Sequence, residues 1–331
     1  MTTLLMRSAP FVYLLIAFPY LSAAQNKIML VIHGGAGSMS PENMSAEKQR
    51  AVCETLTRIF DLGYKMLESG ASAMDAVEFV VKMMEDSPHF NAGRGSVTNS
   101  AGKVEMDAAL MDGKTGLAGA VAGVKRVKNP ISAARAVMER TPHVLMLAEG
   151  AEAVAREAGL EFKSLGYFLN NTKDGEIGQK ITDGWRPEYE LGPPKYGTVG
   201  AVALDKDGNL CAATSTGGMQ DKRIGRVGDS PIIGASTYAK NGLVAVSTTG
   251  HGEFFIRNCV AHDIAALMEY KGLSVEEAVK TVMAKLDRQG GKGGIIAIDG
   301  QGRPAALFNT PGMYRAFKDP SGRTRALIFP E

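Results

Sequence analysis

A strand, a tight turn and a second strand at the centre of the chain constrain its fold and its chemistry more than any other feature. Residues 196–205 contain a Gly-Thr pair and continue as an apolar run, and residues 209–218 form a second strand-like run after an Asp-Gly pair. Asp-Gly between two such runs predicts a β-hairpin. A two-residue loop places Thr198 opposite Gly217, and a one-residue bulge shifts its partner to Thr216. Either register brings two threonine side chains together.

A threonine at this position becomes a nucleophile if the chain is cut in front of it. Cleavage between Gly197 and Thr198 gives Thr198 a free α-amine with a pKa of about 7.7–8.0, so a useful fraction is neutral near physiological pH. The amine then serves as the base for the threonine's own hydroxyl. Glycine tolerates the strained backbone that self-cleavage requires. We therefore expect autocleavage at Gly197-Thr198, with Thr198 and the neighbouring Thr216 as catalytic residues.

Motifs before and after this hairpin make the pattern specific. In chain order they are His33-Gly34-Gly35-Ala36-Gly37, Phe90-Asn91-Ala92-Gly93, Thr214-Ser215-Thr216-Gly217-Gly218-Met219, Gly225-Arg226-Val227-Gly228-Asp229-Ser230-Pro231 and Ser247-Thr248-Thr249-Gly250-His251-Gly252-Glu253. Together they resemble the plant-type asparaginase and isoaspartyl peptidase family of N-terminal nucleophile hydrolases, from about residue 27 to about residue 330. The residue pattern by itself indicates a mixed α/β (α+β) fold, and the resemblance implies a four-layer αββα sandwich.

The resemblance also implies the groups that stabilise the transition state. Thr249 and Gly250 follow a strand end, where a hydroxyl and a backbone N–H suit an oxyanion hole. The family match gives them this role, and Gly250 also counts as a substrate contact. Gly252 is expected to contact the substrate ammonium, and Asn91 is similar to a catalytic-site residue near the scissile bond.

Arg226 and Asp229 are the expected substrate-binding pair. They lie three residues apart in a turn bounded by glycines and a proline. Arg226 can hold an α-carboxylate with two parallel hydrogen bonds, and Asp229 can hold an α-ammonium. The family uses these positions in that way, whereas outside this context the pair would be a surface ion pair of little value. His251 is interpreted as structural, because the N-terminal amine already supplies the base.

The loop at residues 84–94 carries an expected structural sodium site. In the family this loop wraps a sodium ion with main-chain carbonyl oxygens, which suit a hard alkali cation and leave no side-chain signature. The ligands carried over are Met84, Glu85, Ser87, Phe90, Ala92 and Arg94. A plain structured loop is the alternative, and no cofactor is expected for catalysis.

The first 24 residues read as a secretory signal peptide. Arg7 precedes an apolar core at residues 11–18, and small residues lead up to a cleavage point after Ala24. An uncleaved membrane anchor is the alternative, but Pro10 and Pro19 interrupt a run that is already short for a span. We therefore expect export to the periplasm, the exterior or a lumen, without stable membrane association after the signal is removed.

The mature chain is predicted to be one domain made of two subunits. Residues 25–197 form the α subunit, which ends in a flexible linker at about 170–197, and residues 198–331 form the β subunit. A homodimer of cleaved α–β units is expected from the family. The net charge of +2 gives no reason to expect a nucleic-acid partner, and three cysteines do not make a disulfide framework. The glycine-rich turn at 33–37 lacks the spacing of a nucleotide-binding loop.

The sequence thus predicts an enzyme that hydrolyses L-asparagine and β-aspartyl (isoaspartyl) dipeptides. A glycosylasparaginase is the closest alternative, but its nucleophile follows an Asp-Thr junction, whereas Gly197 precedes Thr198 here, and Gly217-Gly218 stands where it carries Asn-Gly. A different class remains open as well, an exported amino-acid-binding protein that uses only Arg226 and Asp229. Such a protein would bind aspartate as an uncut chain.

Overall fold

The structure is a computed structural model that describes residues 28–169 and 197–331. The expected signal peptide, and the expected linker apart from Gly197, lie outside the described residues. The strands are β1 (Met29–Gly37), β2 (Met106–Asp112), β3 (Ala118–Val124), β4 (Leu145–Leu147), β5 (Val199–Leu204), β6 (Leu210–Thr216), β7 (Thr237–Lys240), β8 (Val244–Gly250), β9 (Gly293–Asp299), β10 (Pro304–Phe308), β11 (Gly312–Lys318) and β12 (Thr324–Leu327). The helices are α1 (Ala46–Glu68), α2 (Ala73–Glu85), α3 (Pro130–Arg140), α4 (Ala148–Glu157), α5 (Leu165–Phe168), α6 (Gly252–Asn258), α7 (Val260–Lys271) and α8 (Val275–Arg288).

Serine residues begin three of the helices, where their hydroxyls satisfy backbone N–H groups that have no partner within the helix. Ser45 caps α1, Ser72 caps α2 and Ser274 caps α8. At Ser274 the capping box is complete, because the Glu277 carboxylate accepts from the serine N–H at 2.9 Å. Ser72 followed three residues later by Asp75 also predicts a capping box, but that box is incomplete, since the shorter Asp75 side chain accepts from the serine hydroxyl instead.

Two sheets stack face to face between two layers of helices. The larger sheet has the order β12-β11-β1-β5-β6-β2-β3-β4, and the smaller has the order β10-β9-β8-β7. Helices α1 to α4 pack on the larger sheet, and α7 and α8 pack on the smaller one. Three buried apolar clusters fill the spaces between the four layers, with Phe60 in the first, Val202 and Ile296 in the second and Leu286 in the third. The predicted αββα sandwich is confirmed.

The β5–β6 hairpin has the second of the two predicted registers. One position beyond the last strand pair, Thr198 lies opposite Thr216, and the pairing with Gly217 is wrong. The reason is the turn, which is longer than two residues. The Asp205 carboxylate accepts from two backbone N–H groups at 3.0 and 2.8 Å and so closes a loop around residues 206–208.

Other elements depart from the sequence expectations where backbone geometry changes within one run. The sequence pattern predicts a helix at about 144–156, but this segment begins as the short edge strand β4. It also predicts one long helix at about 253–270, which is two helices, because Cys259 takes a left-handed conformation with φ of +46° between them. Two strand-like runs at 293–299 and 304–309 predict a hairpin, which is confirmed. Among the described residues, no helix is both long and apolar enough to cross a membrane.

Candidate active site

Threonines from three strands meet at the start of β5. The hydroxyl of Thr198 lies 3.1 Å from that of Thr216 on β6. The backbone N–H of Thr198 points at the hydroxyl of Thr249 on β8, at 3.4 Å. All three side chains are buried. Since β8 belongs to the smaller sheet, the nucleophile and its two hydroxyl neighbours sit where the two sheets face each other.

The bond expected to be cut packs directly against β1. A Cβ atom on Gly35 would lie 2.6 Å from the Cα of Gly197, and Gly35 itself has a φ of +110°. Both the close approach and the backbone conformation therefore require glycine. The structure thus brings the glycine-rich turn at 33–37 against the bond that is expected to be cut.

A buried histidine holds the nucleophile by its main chain. Nδ1 of His33 lies 3.1 Å from the carbonyl oxygen of Thr198, and Nε2 lies 3.0 Å from the hydroxyl of Ser247. A carbonyl oxygen only accepts, so Nδ1 carries the proton. The space around the ring is tight, because a Cβ on Gly200 would lie 2.3 Å from Nε2. His33 therefore fixes the peptide group that carries the nucleophilic side chain.

The imidazole is neutral, and its neutrality orders a chain of hydroxyls behind it. Burial lowers the pKa of His33 to about 3, although its hydrogen bond to the backbone opposes the shift. Nε2 is then an acceptor for the Ser247 hydroxyl. Thr214 in turn donates to Ser247 at 2.7 Å, and Thr237 donates to Thr214 at 2.7 Å. Each hydroxyl thus donates to the next group toward His33, and His33 donates to the carbonyl of Thr198.

Asn91 packs against Gly197, next to the bond that is expected to be cut. Its side-chain N–H donates to the carbonyl of Gly218 at 2.7 Å, and its side-chain oxygen accepts from the N–H of Val97 at 2.9 Å. Its own carbonyl accepts from the N–H of Gly217 at 3.0 Å. A Cβ on Gly197 would lie 3.0 Å from the Asn91 Cβ. These contacts hold Asn91 beside Gly197 and are those of a positioning residue, and its expected catalytic role stays a prediction.

Arg226 and Asp229 face one cavity, but no ion pair joins them in the described structure. Arg226 is paired with Glu253, with both N–O distances at 2.9 Å. Asp229 is buried and accepts from the Thr248 hydroxyl at 3.2 Å. Burial raises the pKa of Asp229 to about 6, although the charge of Arg226 opposes the rise. The cation and the anion are thus separately placed to receive two ends of a ligand.

Gly250 and Gly252 flank these groups. Gly250 has a φ of +147°, and a Cβ there would lie 2.4 Å from the Lys292 carbonyl oxygen, so the packing of β8 on β9 requires glycine. A Cβ on Gly252 would lie 2.7 Å from Oδ1 of Asp229. The expected ammonium contact at Gly252 and the expected anionic contact at Asp229 are therefore neighbours.

Most of the predicted catalytic and substrate-binding residues line one small cavity. It is lined by Gly197, Thr198, Thr216, Gly218, Met219, Arg226, Gly228, Asp229, Ser230 and Gly250. A wider, open groove lies elsewhere, between α1 and β12, and includes Arg50, Arg58 and Arg325. It holds none of the predicted site residues, so the smaller cavity is the candidate active site.

The predicted sodium loop presents several carbonyl oxygens to one turn. A Cβ on Gly93 would lie 2.4 Å from the carbonyl oxygen of Glu85. A Cβ on Gly95 would lie 2.0 Å from that of Phe90 and 3.2 Å from that of Ser87. These two glycines thus lie against three of the six expected carbonyl ligands, and the sodium site stays a prediction. Within residues 28–169 and 197–331, no cluster of three or more His, Cys, Asp or Glu side chains could hold a metal.

The other three predicted carbonyls belong to Met84, Ala92 and Arg94. Those of Met84 and Ala92 accept backbone hydrogen bonds inside the loop, at 3.2 and 3.1 Å. A carbonyl oxygen has two lone pairs, so that of Ala92 stays able to bind a cation, whereas that of Met84 also accepts from the N–H of Asp86.

The side chain of Glu85 ties this loop to the strand that carries Thr216. Its Oε1 accepts from the hydroxyl of Ser215 at 2.6 Å and from the N–H of Ile131 at 3.0 Å. Burial raises the pKa of Glu85 to about 8, although its hydrogen bond from Ser215 opposes the rise. This side-chain contact could not be predicted from the sequence, because a glutamate in a helical run is usually solvated.

Sequence reasoning assigned no individual role to His33, Ser247 or Glu253, although all three lie in the quoted motifs. A histidine at the end of an apolar strand was a usable sign of a buried polar contact. The partner of Glu253 was not deducible, because it depends on how the turn at 225–231 folds over the start of α6.

Two sheets between helical layers, with a buried threonine at the head of a central strand, make this the architecture of an N-terminal nucleophile hydrolase. Comparison with known proteins agrees: the profile of the family described as asparaginase matches residues 26–328. The chain is 51% identical to the isoaspartyl peptidase of Escherichia coli (strain K12), over 88% of this chain and 92% of that protein. It is 42% identical to the isoaspartyl peptidase/L-asparaginase of Mus musculus, over 90% of both chains. A probable isoaspartyl peptidase/L-asparaginase 2 of Arabidopsis thaliana is 41% identical, over 91% of this chain and 98% of its own. The chain belongs to this asparaginase family.

Proposed function

We propose that the chain cuts itself before Thr198 and then hydrolyses L-asparagine and β-aspartyl dipeptides. The observation that carries the proposal is the placement of Thr198. Its hydroxyl lies 3.1 Å from Thr216 and its N–H lies 3.4 Å from the Thr249 hydroxyl. The cavity that contains it also contains Arg226 and Asp229. The names of the relatives match this substrate class.

Self-cleavage needs no group from outside the chain except water. The Thr198 hydroxyl attacks the carbonyl carbon of Gly197, and the peptide C–N bond breaks as the ester C–O bond forms. Water then hydrolyses that ester, which leaves a carboxylate on Gly197 and an amine on Thr198. Close packing of Gly35 against Gly197 keeps the carbonyl near the hydroxyl.

Substrate hydrolysis reuses the same hydroxyl. The free amine of Thr198 takes the hydroxyl proton, and the oxygen attacks the side-chain carbonyl of asparagine or of the β-aspartyl unit. Thr249 and Gly250 are assigned to the oxyanion. Ammonia or an amino acid leaves with the transferred proton, and water clears the β-aspartyl ester to give aspartate.

Recognition is assigned to the charged wall of the cavity. Arg226 receives the α-carboxylate, and Asp229 receives the α-ammonium with Gly252 beside it. Both ends of the amino acid are thus specified by opposite charges in a largely buried place, where such contacts are strong.

The test is hydrolysis by the purified, cut protein. L-Asparagine and β-aspartyl-leucine should both release L-aspartate, whereas N-acetyl-asparagine, which lacks the ammonium, should not. Preference for N4-(N-acetylglucosaminyl)-asparagine would favour a glycosylasparaginase. An uncut chain that binds aspartate without turnover would favour the amino-acid-binding alternative.

We also propose that the loop at 84–94 binds sodium through the six carbonyls named above. Bound there, the ion would fix the loop that carries Asn91. The melting temperature should then rise with added NaCl relative to choline chloride at equal ionic strength. Gly93→Ala, whose Cβ would intrude on the Glu85 carbonyl, should abolish that difference. An equal response to both salts in the unmodified protein would refute the site.

Export and dimerisation are proposed from the sequence and the resemblance. A protein recovered from the exported fraction should begin at Gln25 after removal of residues 1–24. Light scattering of the cut protein should give the mass of two α–β units. Retention of the N-terminal segment in a membrane fraction would support the anchor alternative.

A further inference from the structure

Glu253 holds the Arg226 guanidinium from one edge. Its Oε1 accepts from Nε and its Oε2 accepts from Nη2, both at 2.9 Å. This is the planar, two-bond geometry in which arginine and carboxylate match best. Within the part of the chain that the structure describes, Nη1 has no hydrogen-bond partner. One edge of the guanidinium is therefore occupied by the protein, and the edge formed by Nη1 and Nη2 is left for a ligand.

Two glycines keep that second edge clear. A Cβ on Gly228 would lie 2.8 Å from Nη1, and one on Gly252 would lie 3.1 Å from Nη2. The same Cβ on Gly252 would lie 2.7 Å from Oδ1 of Asp229. Glycine backbone thus borders both the unoccupied edge of the Arg226 guanidinium and the Asp229 carboxylate. This leaves space for the α-carboxylate and α-ammonium groups of an amino acid.

Glu253 itself is held in place at the rim of the cavity. Its side chain is 42% exposed, whereas that of Arg226 is only 17% exposed. Burial would raise the pKa of Glu253, but the hydrogen bonds and charge of Arg226 outweigh it, so the pKa lies below its usual value. Nε2 of His251 lies 3.6 Å from Oε2 of Glu253, and the His251 ring packs edge-on against Phe254. The carboxylate is thus ionised, and the His251 ring lies beside the oxygen that accepts from Nη2.

We infer that Glu253 is a positioning residue for substrate recognition, which fixes one edge of Arg226 so that the other edge meets the substrate α-carboxylate. The inference rests on the role proposed for Arg226. Two other roles for Glu253 lead to different results. A competitor for Arg226 would weaken substrate binding, so its removal would lower KM. A residue that only stabilises the first turn of α6 would affect the melting temperature and leave KM unchanged.

The first test compares Glu253→Gln with the unmodified enzyme on β-aspartyl-leucine. The amide can accept only one of the two arginine hydrogen bonds and carries no charge. We expect KM to rise by about 5- to 20-fold, somewhat less than the loss of a fully buried charged hydrogen bond would give. Self-cleavage should continue, and kcat should change by less than about twofold. Glu269→Gln is the matched control, because Glu269 accepts from Lys240 in an exposed ion pair away from the cavity.

Glu253→Asp extends the test and covers the case in which the glutamine variant is poorly folded. Aspartate keeps the charge but is one methylene shorter, so it reaches one guanidinium nitrogen. Its KM should lie between those of the unmodified enzyme and Glu253→Gln. An unchanged or lowered KM in both variants would overturn the inference.

A double-variant cycle separates this inference from the role of Arg226. If Glu253 acts through the arginine fork, Glu253→Gln should add little to the KM of Arg226→Lys, whose ammonium has no fork to orient. If the KM increases of the two single variants multiply in full in the double variant, the inference is contradicted, although Arg226 remains the carboxylate contact. An Arg226→Lys enzyme with normal KM would instead refute the proposed role of Arg226, and with it the role of Glu253.

Discussion

The cavity has two walls, a nucleophile wall around Thr198 and a charged, substrate-binding wall around Arg226 and Asp229. The two walls are built from different kinds of group. Around Thr198 the partners are hydroxyls, backbone carbonyls and a neutral histidine, all buried and all fixed by strand register. Around the substrate head the groups are charged: Arg226 pairs with Glu253 at the start of α6, and the buried Asp229 accepts from the Thr248 hydroxyl. Main-chain geometry thus determines the position of the nucleophile, whereas electrostatics determines how the substrate is bound.

This difference separates the two tasks of the enzyme. Self-cleavage and acyl transfer depend on short distances within the sandwich, so changes there should reduce the rate of chemistry. Substrate selection depends on ionised groups, so changes there should raise KM and leave self-cleavage intact. Variants on the two walls should therefore fall into two kinetic classes, and a variant that crosses between them would weaken the comparison.

The largest effect is expected on the nucleophile wall with Thr198→Ala. The variant should remain one uncut chain and lose at least about 10⁴-fold in asparagine hydrolysis, because the attacking oxygen is gone. Thr198→Ser keeps a hydroxyl and should still cut, at a lower rate. Denaturing gels and ammonia release measure both properties. Activity of Thr198→Ala equal to that of the unmodified chain would rule out the assigned nucleophile.

A smaller effect is expected on the charged wall with Arg226→Lys. Lysine keeps the charge and loses the two-bond geometry. A cost of about 1.5–3 kcal/mol for a charged hydrogen bond corresponds to about a ten- to hundredfold fall in kcat/KM. Self-cleavage should persist, since it needs no free substrate. If Arg226→Lys also blocks self-cleavage, Arg226 is structural and the separation of the two walls fails.

His33→Phe sharpens the comparison from the other side. It removes the hydrogen bond to the Thr198 carbonyl from a fully buried place, so self-cleavage and kcat should each fall by about tenfold, with KM nearly unchanged. His33→Asn, whose side-chain N–H can replace Nδ1, should recover part of the rate. Gel densitometry of self-cleavage and steady-state kinetics provide the measurements. A rise in KM as large as the fall in kcat would place His33 with the substrate-binding groups.

The last prediction is an acidic limb of the pH profile that Asp229 adds to the limb caused by the Thr198 amine. Burial raises the pKa of Asp229 to about 6, so this carboxylate gains its proton at a higher pH than an ordinary aspartate does. Below about pH 7.7 protonation of the Thr198 amine already lowers kcat/KM. As the pH falls through about 6, Asp229 also loses its charge, and this second acidic limb should make kcat/KM fall by about a further tenfold per pH unit. His33, with a pKa of about 3, stays neutral in this range. Asp229→Asn should remove this acidic limb, whereas an unchanged limb would assign it to another group.

The sequence was most informative where one residue type is the only one that fits. Thr198 after a glycine and Ser274 before its capping glutamate were recognisable because the chemistry or the backbone demands them. The four-layer architecture came from the family resemblance, since periodicity cannot say how many sheets stack. The exact hairpin register depended on the Asp205 carboxylate, whose local hydrogen bonds lengthen the turn.

What the sequence could not supply were contacts between distant segments. The pairing of Glu253 with Arg226 and the chain of hydroxyls behind His33 join residues that are far apart along the chain. Strands β11 and β12 were also not predicted, although β11 pairs with β1 and so supports the glycine-rich turn. Such contacts follow from the packing of the layers and leave no pattern within any single segment.

Cleavage before Thr198 is the central claim, and intact mass with N-terminal sequencing of the purified protein tests it most directly. The account predicts two chains, of which the smaller begins Thr-Val-Gly-Ala and extends to Glu331. Hydrolysis of β-aspartyl dipeptides should increase in step with the appearance of that chain. A preparation that is fully active while it remains a single uncut chain, or one cut at another bond, would contradict the account.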